Sequence, residues 1–401
     1  MAPAIANPTA NRQSVTANVM WCILRAEQYM RRSIFFSIAV LALSAIAVSA
    51  QAPAPVSAPT DGGYKLVPNW PTLPPGDFFG LKTPPPPPAE REAQAAARRA
   101  TGGGGNMPRP AGQGPTNQPG ISGLAIDQND RIYVFNRGAK PVMVFNTDGK
   151  LVASGGDQDL NGKKLDPNWQ HSGTVDWDGN IYMIERDAHR IVKLNPKMDK
   201  VLLQIGTTME KGNDATHLDL PSGIAVLKNG NIIVTDGYGN NRVVMYDKTC
   251  KFIKQVAKSA GGPGDKGKGT GEWDLPHKLA VDAQENLYII DREGHRVQVF
   301  DKNLNYLREI NVPGWNPWDI AISRKGDDGF AFIADHALER VHKLSLKDGK
   351  LVATWGKQGL GPGEFDWVHG IVVDSKGAVY AADTYGQRIQ KFVPAGTTSS
   401  R

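Results

Sequence analysis

The sequence contains very little cysteine, because its 401 residues include only Cys22 and Cys250. Two cysteines exclude a disulfide scaffold and a zinc site built from several thiolates. The sequence also lacks a run of like charges, since its 46 Lys and Arg and its 40 Asp and Glu residues are scattered along the chain. A formal net charge of +6 without a basic cluster does not predict a nucleic-acid partner.

Turn-forming residues are abundant instead. The chain contains 44 glycines and 28 prolines, and 40% of its residues are hydrophobic, which is enough for a substantial core. This composition disfavours long helices and favours many short strands. The length alone would suggest two or three domains, so the pattern along the chain has to decide their number.

The first apolar run has the pattern of a secretory signal peptide. Basic residues beside Met30 precede an apolar stretch that ends in small residues at 48–50. We expect cleavage before Gln51, with Met30 as the working start and export to the periplasm or the medium. A membrane anchor is the alternative, because the run approaches spanning length. Cleavage would leave Cys250 as the single cysteine, halve the net charge and leave no segment stably inserted in a membrane.

From residue 121 onward the chain contains six copies of one pattern. Each copy has a short apolar strand, a hairpin turn, a second strand, and then an arginine followed by alternating apolar residues. The residues at the head of the first strand are, in order, Ser122, His171, Ser222, His277, Trp318 and His369. Units of about four strands stack radially, so the sequence predicts an all-β fold, a six-bladed β-propeller over residues 120–393.

The sixth unit has only three strands, and its fourth is predicted to come from the N-terminal segment. Residues 66–78 echo residues 351–365, which form the fourth strand of the fifth unit and its exit loop. We predict that residues 63–70 close the ring and hide its open edges. The remaining parts are the N-terminal extension with the signal peptide (1–50), the N-terminal segment (51–82), an exposed Pro/Gly-rich linker (83–119) and a flexible tail (394–401).

An arginine and an aspartate recur at matching places in successive units, and we predict a structural role in which they pair with each other or bond to the backbone of turns. The arginines are Arg190, Arg242, Arg296, Arg340 and Arg388, and the aspartates are Asp236, Asp291, Asp335 and Asp383.

Histidine occupies the head of the first strand in units two, four and six, as His171, His277 and His369. Innermost strands line the central channel of a propeller, so these imidazoles would face one axis about 120° apart. Three imidazoles with an open position match a catalytic zinc site, and we predict zinc as the cofactor. Polar channel residues without a metal are the alternative. His336, in a loop beside the channel mouth, is a weaker candidate.

Residues that break the repeat lie beside this histidine ring. Arg137 and Arg292 follow the second strand of units one and four, where their guanidinium groups could bind a carboxylate. Arg186 occupies the same place in unit two, so a solvated structural arginine remains an alternative interpretation. Tyr238 lies between two glycines on a tight loop, and a phenol beside a metal and a cation can act as a general base.

These motifs together resemble NHL repeats and the lyase family that completes peptide amidation, the peptidyl-α-hydroxyglycine α-amidating lyases. The resemblance spans residues 120–393 and rests on Phe-Asn-Arg-Gly at 135–138, Gln-His at 170–171, Asp-Gly-Tyr-Gly-Asn-Asn-Arg at 236–242, Leu-Pro-His at 275–277, Asp-Arg-Glu at 291–293 and Val-His at 368–369. In that family three histidines bind zinc, a tyrosine is the base, and two arginines bind the substrate carboxylate and orient the tyrosine. The resemblance implies these roles for His171, His277 and His369, for Tyr238, and for Arg137 and Arg292.

Two positions depart from the family. Gly370 replaces the aspartate that supports a structural calcium, so the calcium site does not carry over. Trp367 replaces a methionine two residues before the third histidine and is predicted to contact the substrate.

The resemblance implies a zinc-dependent lyase that converts an N-acyl-α-hydroxyglycine, R-CO-NH-CH(OH)-COO⁻, to an amide and glyoxylate. Tyr238 would take the hydroxyl proton, and Arg137 and Arg292 would hold the carboxylate. We expect a small-molecule or peptide substrate with a free carboxylate, and a monomeric protein. Two alternatives remain open: a non-enzymatic NHL propeller that binds protein or glycan partners, and another metal-dependent propeller hydrolase.

Overall fold

The computed structural model describes residues 62–77, 79–80, 87–100, 120–158, 166, 169–258, 261–262, 265–323 and 329–395. The predicted signal peptide, most of the predicted linker and nearly all of the predicted tail lie outside the described residues. No helix in the described part of the chain has the length and apolar character needed to cross a bilayer.

The described residues form 24 strands in six four-stranded antiparallel sheets, one for each blade. Blade one consists of β2 (Ile121–Ile126), β3 (Ile132–Asn136), β4 (Val142–Phe145) and β5 (Leu151–Gly155), and blade two of β6 (Gln170–Val175), β7 (Ile181–Glu185), β8 (Arg190–Leu194) and β9 (Val201–Ile205). Blade three consists of β10 (Gly223–Val226), β11 (Ile232–Asp236), β12 (Arg242–Tyr246) and β13 (Phe252–Val256), and blade four of β14 (Pro276–Val281), β15 (Leu287–Asp291), β16 (Arg296–Phe300) and β17 (Tyr306–Ile310). Blade five consists of β18 (Pro317–Ile322), β19 (Phe330–Asp335), β20 (Arg340–Ser345) and β21 (Leu351–Trp355), and blade six of β22 (Val368–Val373), β23 (Val379–Asp383), β24 (Arg388–Pro394) and β1 (Tyr64–Val67).

The first strand of each blade contacts the first strand of the next blade, so β2, β6, β10, β14, β18 and β22 surround the central channel. Apolar side chains of neighbouring blades pack against each other in clusters, one of which joins Tyr182 and Ile191 of blade two to Ile224 and Val244 of blade three. This arrangement confirms the predicted six-bladed propeller. It also places the head residues of all first strands at one end of the channel.

In blades one, two, four and six, an aspartate directly after the first strand accepts hydrogen bonds from the backbone of the hairpin turn. In blade two, Asp176 Oδ1 accepts hydrogen bonds from the backbone N–H groups of Asp178 and Asn180 at 3.0 and 2.8 Å. Gly179 has a φ of +83°, a conformation that favours glycine. The same capping recurs at Asp374 of blade six. The repeated aspartate thus fixes the turn at the channel end opposite to the histidines.

The ring is closed by β1, as the sequence predicts. β1 pairs antiparallel with β24, with Leu66 opposite Phe392. Immediately after β1, Trp70 packs against Tyr380 of blade six, with ring centroids 4.6 Å apart, and its Nε1 donates to the Thr147 carbonyl of blade one at 3.0 Å. The N-terminal segment therefore completes the last blade and joins it to the first.

The predicted linker contains a helix, α1 (Pro88–Ala100), that the sequence analysis did not anticipate. Proline at the first helical position, Glu90 in the first turn and a run of alanines all favour a helix. The linker prediction is based on the prolines and glycines that surround this stretch. Arg91 Nη1 donates to the Gly386 carbonyl of blade six at 3.1 Å, and Ala95 is buried. This part of the predicted linker is packed on the propeller.

Most of the predicted arginine pairs form. Nε of Arg242, Arg296 and Arg388 lies 2.9, 2.8 and 3.1 Å from the aspartate of its own blade, respectively Asp236, Asp291 and Asp383. Arg190 pairs with Glu185 in blade two. The prediction is wrong in blade five, where His342 Nε2 lies 2.8 Å from Asp335 Oδ2 in place of Arg340. A histidine two residues further along β20 reaches the same carboxylate from the same face of the strand.

Replacement of Arg242 by alanine is expected to lower the free energy of unfolding by about 3–5 kcal/mol, because it leaves the fully buried carboxylate of Asp236 without its cation. The guanidinium also donates to the carbonyls of Asn213 and His217. Urea unfolding followed by far-UV circular dichroism measures the change. Lys350→Ala, which removes an ion pair whose lysine is 81% exposed, is the control and should change the free energy by about 0–1 kcal/mol. Equal effects of the two substitutions would contradict a structural role for the buried pair.

Candidate metal centre and its surroundings

Three histidines from alternate blades meet in the channel. His171, His277 and His369 lie near the start of β6, β14 and β22, and all three are buried. Their ring centroids are 5.2 to 5.4 Å apart, and one ring nitrogen from each lies within 4.8 Å of the others. The repeat position identified in the sequence brings the three imidazoles together, and they form a candidate metal site.

Hydrogen bonds to the next blade orient two of the imidazoles. His171 Nδ1 lies 2.9 Å from the Ser222 carbonyl, and His277 Nδ1 lies 2.6 Å from the Trp318 carbonyl. An imidazole that donates from Nδ1 presents the lone pair of Nε2, which is the arrangement that metal-binding histidines use. In the part of the chain that the structure describes, His369 Nδ1 is buried without a hydrogen-bond partner.

The environment also favours neutral imidazoles, the form that binds a metal. Burial, and then the positive charge of Lys278, lowers the pKa of His171 and of His369 well below its ordinary value. For His277 burial again has the largest effect, followed by Arg292. Together with the hydrogen bonds on Nδ1, this environment fits a metal ion.

Tyr238 lies directly beside the histidines. Its Oη is 3.1 Å from His171 Nε2 and 2.9 Å from His277 Nε2. The flanking glycines are required by close packing, because a Cβ at Gly237 would lie 1.9 Å from the Pro276 carbonyl oxygen and one at Gly239 would lie 2.2 Å from the Asp219 carboxyl carbon. The loop after β11 thus fixes the phenol over the channel end where the three imidazoles meet.

Arg292 supports this phenol from blade four. Its Nη1 donates to Tyr238 Oη at 3.2 Å, and its Nε donates to Glu293 Oε1 at 2.9 Å. The buried guanidinium also lies over the Trp318 ring, 4.3 Å from the centroid.

Arg137 comes from blade one and is equally buried. Its Nε donates to the Gln170 carbonyl at 2.9 Å, next to His171. Burial, and then the positive charge of Arg186, lowers the pKa of Arg137 to about 10. Among the described residues no carboxylate lies within ion-pair distance of it, so Arg137 carries a buried charge that is not neutralised.

Arg186 also belongs to this site, although the sequence analysis gave it no role. It begins a 3-10 turn, Arg186–Ala188, between β7 and β8. Its guanidinium carbon lies 5.3 Å from the centre of the Tyr238 ring, and its Nη2 lies 3.0 Å from Asp187 Oδ2. The signal was present in the sequence, because Arg186 occupies the repeat position of Arg137 and Arg292.

Aromatic side chains form a wall on the other side of His369. Trp367 is buried, with its ring 6.2 Å from His369 and 4.6 Å from Tyr385. His336 stacks on Trp367 at 5.2 Å, and its Nδ1 lies 2.6 Å from Glu339 Oε1. His336 therefore belongs to this wall and is outside the cluster of three histidines. Contact of Trp367 with a substrate stays a prediction.

Beyond the histidines the channel widens to a cavity of about 320 Å³. Its walls are later residues of the innermost strands, and they include the buried Lys278 and Asp319. Asp319 Oδ2 accepts from the Ile371 N–H at 3.2 Å, next to Gly370. Calcium needs several oxygen ligands, and Gly370 supplies no carboxylate here. The described residues therefore do not fit a calcium ion at this position.

Comparison with known proteins relates this chain to a lyase family. Family profiles described as 6-bladed beta-propeller and as NHL repeat match residues 211–332 and 365–392. Peptidyl-glycine alpha-amidating monooxygenase of Mus musculus is 28% identical over 299 residues, which cover 68% of this chain and 30% of that protein. A probable peptidyl-alpha-hydroxyglycine alpha-amidating lyase of Caenorhabditis elegans is 27% identical over 209 residues, or 46% of this chain and 56% of that protein.

NHL repeat-containing protein 3 of Mus musculus is 26% identical over 293 residues, which cover 68% of this chain and 78% of that protein. The chain thus spans less than a third of the mouse monooxygenase and more than three quarters of this second mouse relative. The second relative is named for the NHL repeat, and the relative from Caenorhabditis elegans is named as a probable amidating lyase. The chain is a six-bladed NHL-repeat β-propeller homologous to the peptidyl-α-hydroxyglycine α-amidating lyases.

Proposed function

We propose that the protein is a zinc-dependent lyase that cleaves the C–N bond of an N-acyl-α-hydroxyglycine to give an amide and glyoxylate. The observation that supports this best is the position of Tyr238 Oη, within 3.1 Å of two imidazole nitrogens and 3.2 Å from Arg292 Nη1. A potential general base therefore lies at a three-histidine site in a chain related to amidating lyases. Export by the predicted signal peptide and a substrate with a free carboxylate belong to the same proposal.

Three neutral imidazoles are a ligand set that zinc accepts, with positions left for a substrate. His171, His277 and His369 would hold the ion, and zinc would supply Lewis acidity toward the hydroxyl group of the substrate. Closed structural zinc sites use four protein ligands, whereas this cluster has three among the described residues. This difference favours a catalytic over a structural ion.

The side chains of the protein account for the proton transfers. Tyr238 Oη takes the proton of the substrate hydroxyl, the hydroxyl carbon becomes the aldehyde carbon of glyoxylate, and the C–N bond breaks. The electron pair of that bond goes to the amide nitrogen, which receives a proton to give the neutral amide. Arg292 orients the phenol through its hydrogen bond to Oη, and Arg137 supplies a cation for the substrate carboxylate.

Release of glyoxylate from N-benzoyl-α-hydroxyglycine tests the proposal. We expect the zinc-loaded full chain to produce equal amounts of benzamide and glyoxylate, faster than the spontaneous decay of the substrate in buffer. Chromatography quantifies both products, so that hydrolysis to benzoate is distinguished from the lyase reaction. A zinc-loaded, folded protein that yields no product above the buffer control would contradict the proposed activity.

A further inference from the structure

Three guanidinium groups surround Tyr238 and its neighbouring histidines, but only two have a carboxylate partner. Arg292 Nη2 lies 2.8 Å from Glu293 Oε1, and Arg186 Nη2 lies 3.0 Å from Asp187 Oδ2. Arg137 has no carboxylate at ion-pair distance within the described part of the chain. Arg137 therefore carries an excess positive charge that no carboxylate of the described residues neutralises at ion-pair distance. An anionic group of a ligand would neutralise the excess.

Arg292 is already engaged. Its Nη1 is directed to Tyr238 Oη, its Nε to Glu293, and its planar face covers Trp318. A two-point interaction with a carboxylate needs two neighbouring N–H groups of one guanidinium, or one group from each of two arginines. The remaining group of Arg292, Nη2, has no hydrogen-bond partner among the described residues, but it lies 2.8 Å from Glu293 Oε1, whose negative charge opposes a second carboxylate there.

The positive charge of Arg186 acts on Arg137 from the adjacent blade. After burial, the charge of Arg186 has the largest effect on the lowered pKa of Arg137. Burial alone would lower the pKa of Arg186, but Asp187 and Tyr238 raise it above its ordinary value. Arg186 also lies over the Tyr238 ring, whose Oη is next to His171, so that it borders the place where the reacting carbon must lie.

Gln170 adds an independent observation at the same place. Its backbone carbonyl accepts the Arg137 Nε hydrogen bond, and its side chain is 2% exposed. Neither Oε1 nor Nε2 of this buried amide has a hydrogen-bond partner among the described residues. Buried polar groups are rarely left without a partner unless a ligand or water supplies one.

We infer that Arg186 and Arg137 together bind the carboxylate of the substrate, and that Arg292 acts as a positioning residue for Tyr238. The inference rests on the proposed function and adds Arg186 to the carboxylate site, for which the family resemblance implies only Arg137 and Arg292. Two arginines from adjacent blades would select a planar monocarboxylate over an uncharged carboxamide. Arg186 thereby becomes a residue that determines specificity.

Steady-state kinetics of the zinc-loaded full chain separate the two arginines. For Arg186→Gln we expect KM for N-benzoyl-α-hydroxyglycine to rise about 10- to 100-fold, because a charge-assisted interaction is lost, while kcat stays within about threefold. The preference for this substrate over its carboxamide analogue should fall by a similar factor. Arg292→Gln should mainly lower kcat. An unchanged KM and an unchanged preference in Arg186→Gln would overturn the inference and leave the proposed lyase activity intact.

Binding of glyoxylate to the zinc-loaded protein, measured by calorimetry, tests the inference without turnover. We expect Arg186→Gln to weaken binding about tenfold or more, and Arg186→Lys to restore part of it because the charge is kept. Arg131→Gln removes a half-exposed arginine at the opposite end of the channel and should leave binding unchanged. If the melting temperature and zinc content show that Arg186→Gln does not fold, the test is the binding of glyoxylate to Arg186→Lys compared with the wild type. Binding as tight as in the wild type would then overturn the inference.

The two proposals can fail separately. A wild-type protein that binds glyoxylate through Arg186 but releases none from N-benzoyl-α-hydroxyglycine would support the carboxylate site and contradict the lyase. If the wild-type protein is active and the Arg186→Gln variant binds glyoxylate as well as the wild type does, the lyase is supported and the carboxylate site is contradicted. Absence of any carboxylate binding in the wild type would overturn the inference.

Discussion

Replacement of both His171 and His277 by alanine is expected to remove stoichiometric zinc and to lower glyoxylate release by about 10³-fold or more, since a catalytic metal supplies several kcal/mol of transition-state stabilisation. The expectation follows from the geometry, because the ligand atoms of the three histidines lie within 4.8 Å of one another and no other such group of three occurs in the described residues. A single remaining imidazole, His369, cannot hold the ion at a position shared by three.

Metal analysis of the purified protein by mass spectrometry gives the zinc content, and the same preparation is assayed for product. His217→Ala is a matched control, because it removes a histidine that is paired with Asp214 on the surface, outside the cluster. The control should keep its zinc and its activity. Stoichiometric zinc in the double variant, or none in the wild type, would contradict the assignment of this site.

The double variant is also expected to stay folded. The three histidines line the channel, whereas the six blades are held by apolar contacts between sheets and by β1 in the last sheet. An unchanged melting temperature of the metal-free wild type and the double variant would show that the loss of activity comes from the site. Zinc added to the wild type should raise the melting temperature, because a ligand that binds only the folded state stabilises it.

The repeat explains why so much of this site was predictable. Equivalent positions in successive blades lie at the same height around one axis, so a histidine at the head of every second first strand has to meet its counterparts. The closing strand was predictable for the same reason, because residues 66–78 repeat the pattern of residues 351–365. In both cases the position within the repeat shows which residues lie close together in space, although they are far apart in the sequence.

The position of a residue within the repeat does not predict a contact that depends on how far its side chain extends toward the next blade. Arg186 shares the repeat position of Arg137 and Arg292, but the repeat does not predict that its guanidinium group lies over the Tyr238 ring of the next blade. In blade five, His342 takes the carboxylate that the pattern assigns to Arg340. The helix α1 lies outside the repeat, and its packing on blade six depends on Arg91 and Ala95, which are ordinary residues in a compositionally biased stretch.

Tyr238→Phe is expected to lower kcat by about 10²- to 10⁴-fold, the usual contribution of a positioned general base. The substitution removes only Oη, the atom that lies 3.1 and 2.9 Å from His171 and His277 and accepts from Arg292. The aromatic ring remains. Arg186 and Arg292 therefore keep their contacts with it, in which the guanidinium carbons lie 5.3 and 5.2 Å from the ring centroid. Zinc content and KM should therefore change little.

Measurement of kcat and KM with N-benzoyl-α-hydroxyglycine, together with the zinc content, distinguishes a chemical role from a structural one. A structural role would lower the zinc content or raise KM, because the phenol would then act by holding the imidazoles or the arginines. Tyr306→Phe, on the outer strand of blade four and 38% exposed, controls for the loss of a hydroxyl elsewhere. If Tyr238→Phe turned over at the wild-type rate, the proton would have to go to another group, and among the neighbours of Oη the metal-binding imidazoles and the arginine are poor bases. The roles of Arg292 and Tyr238 would then have to be assigned again.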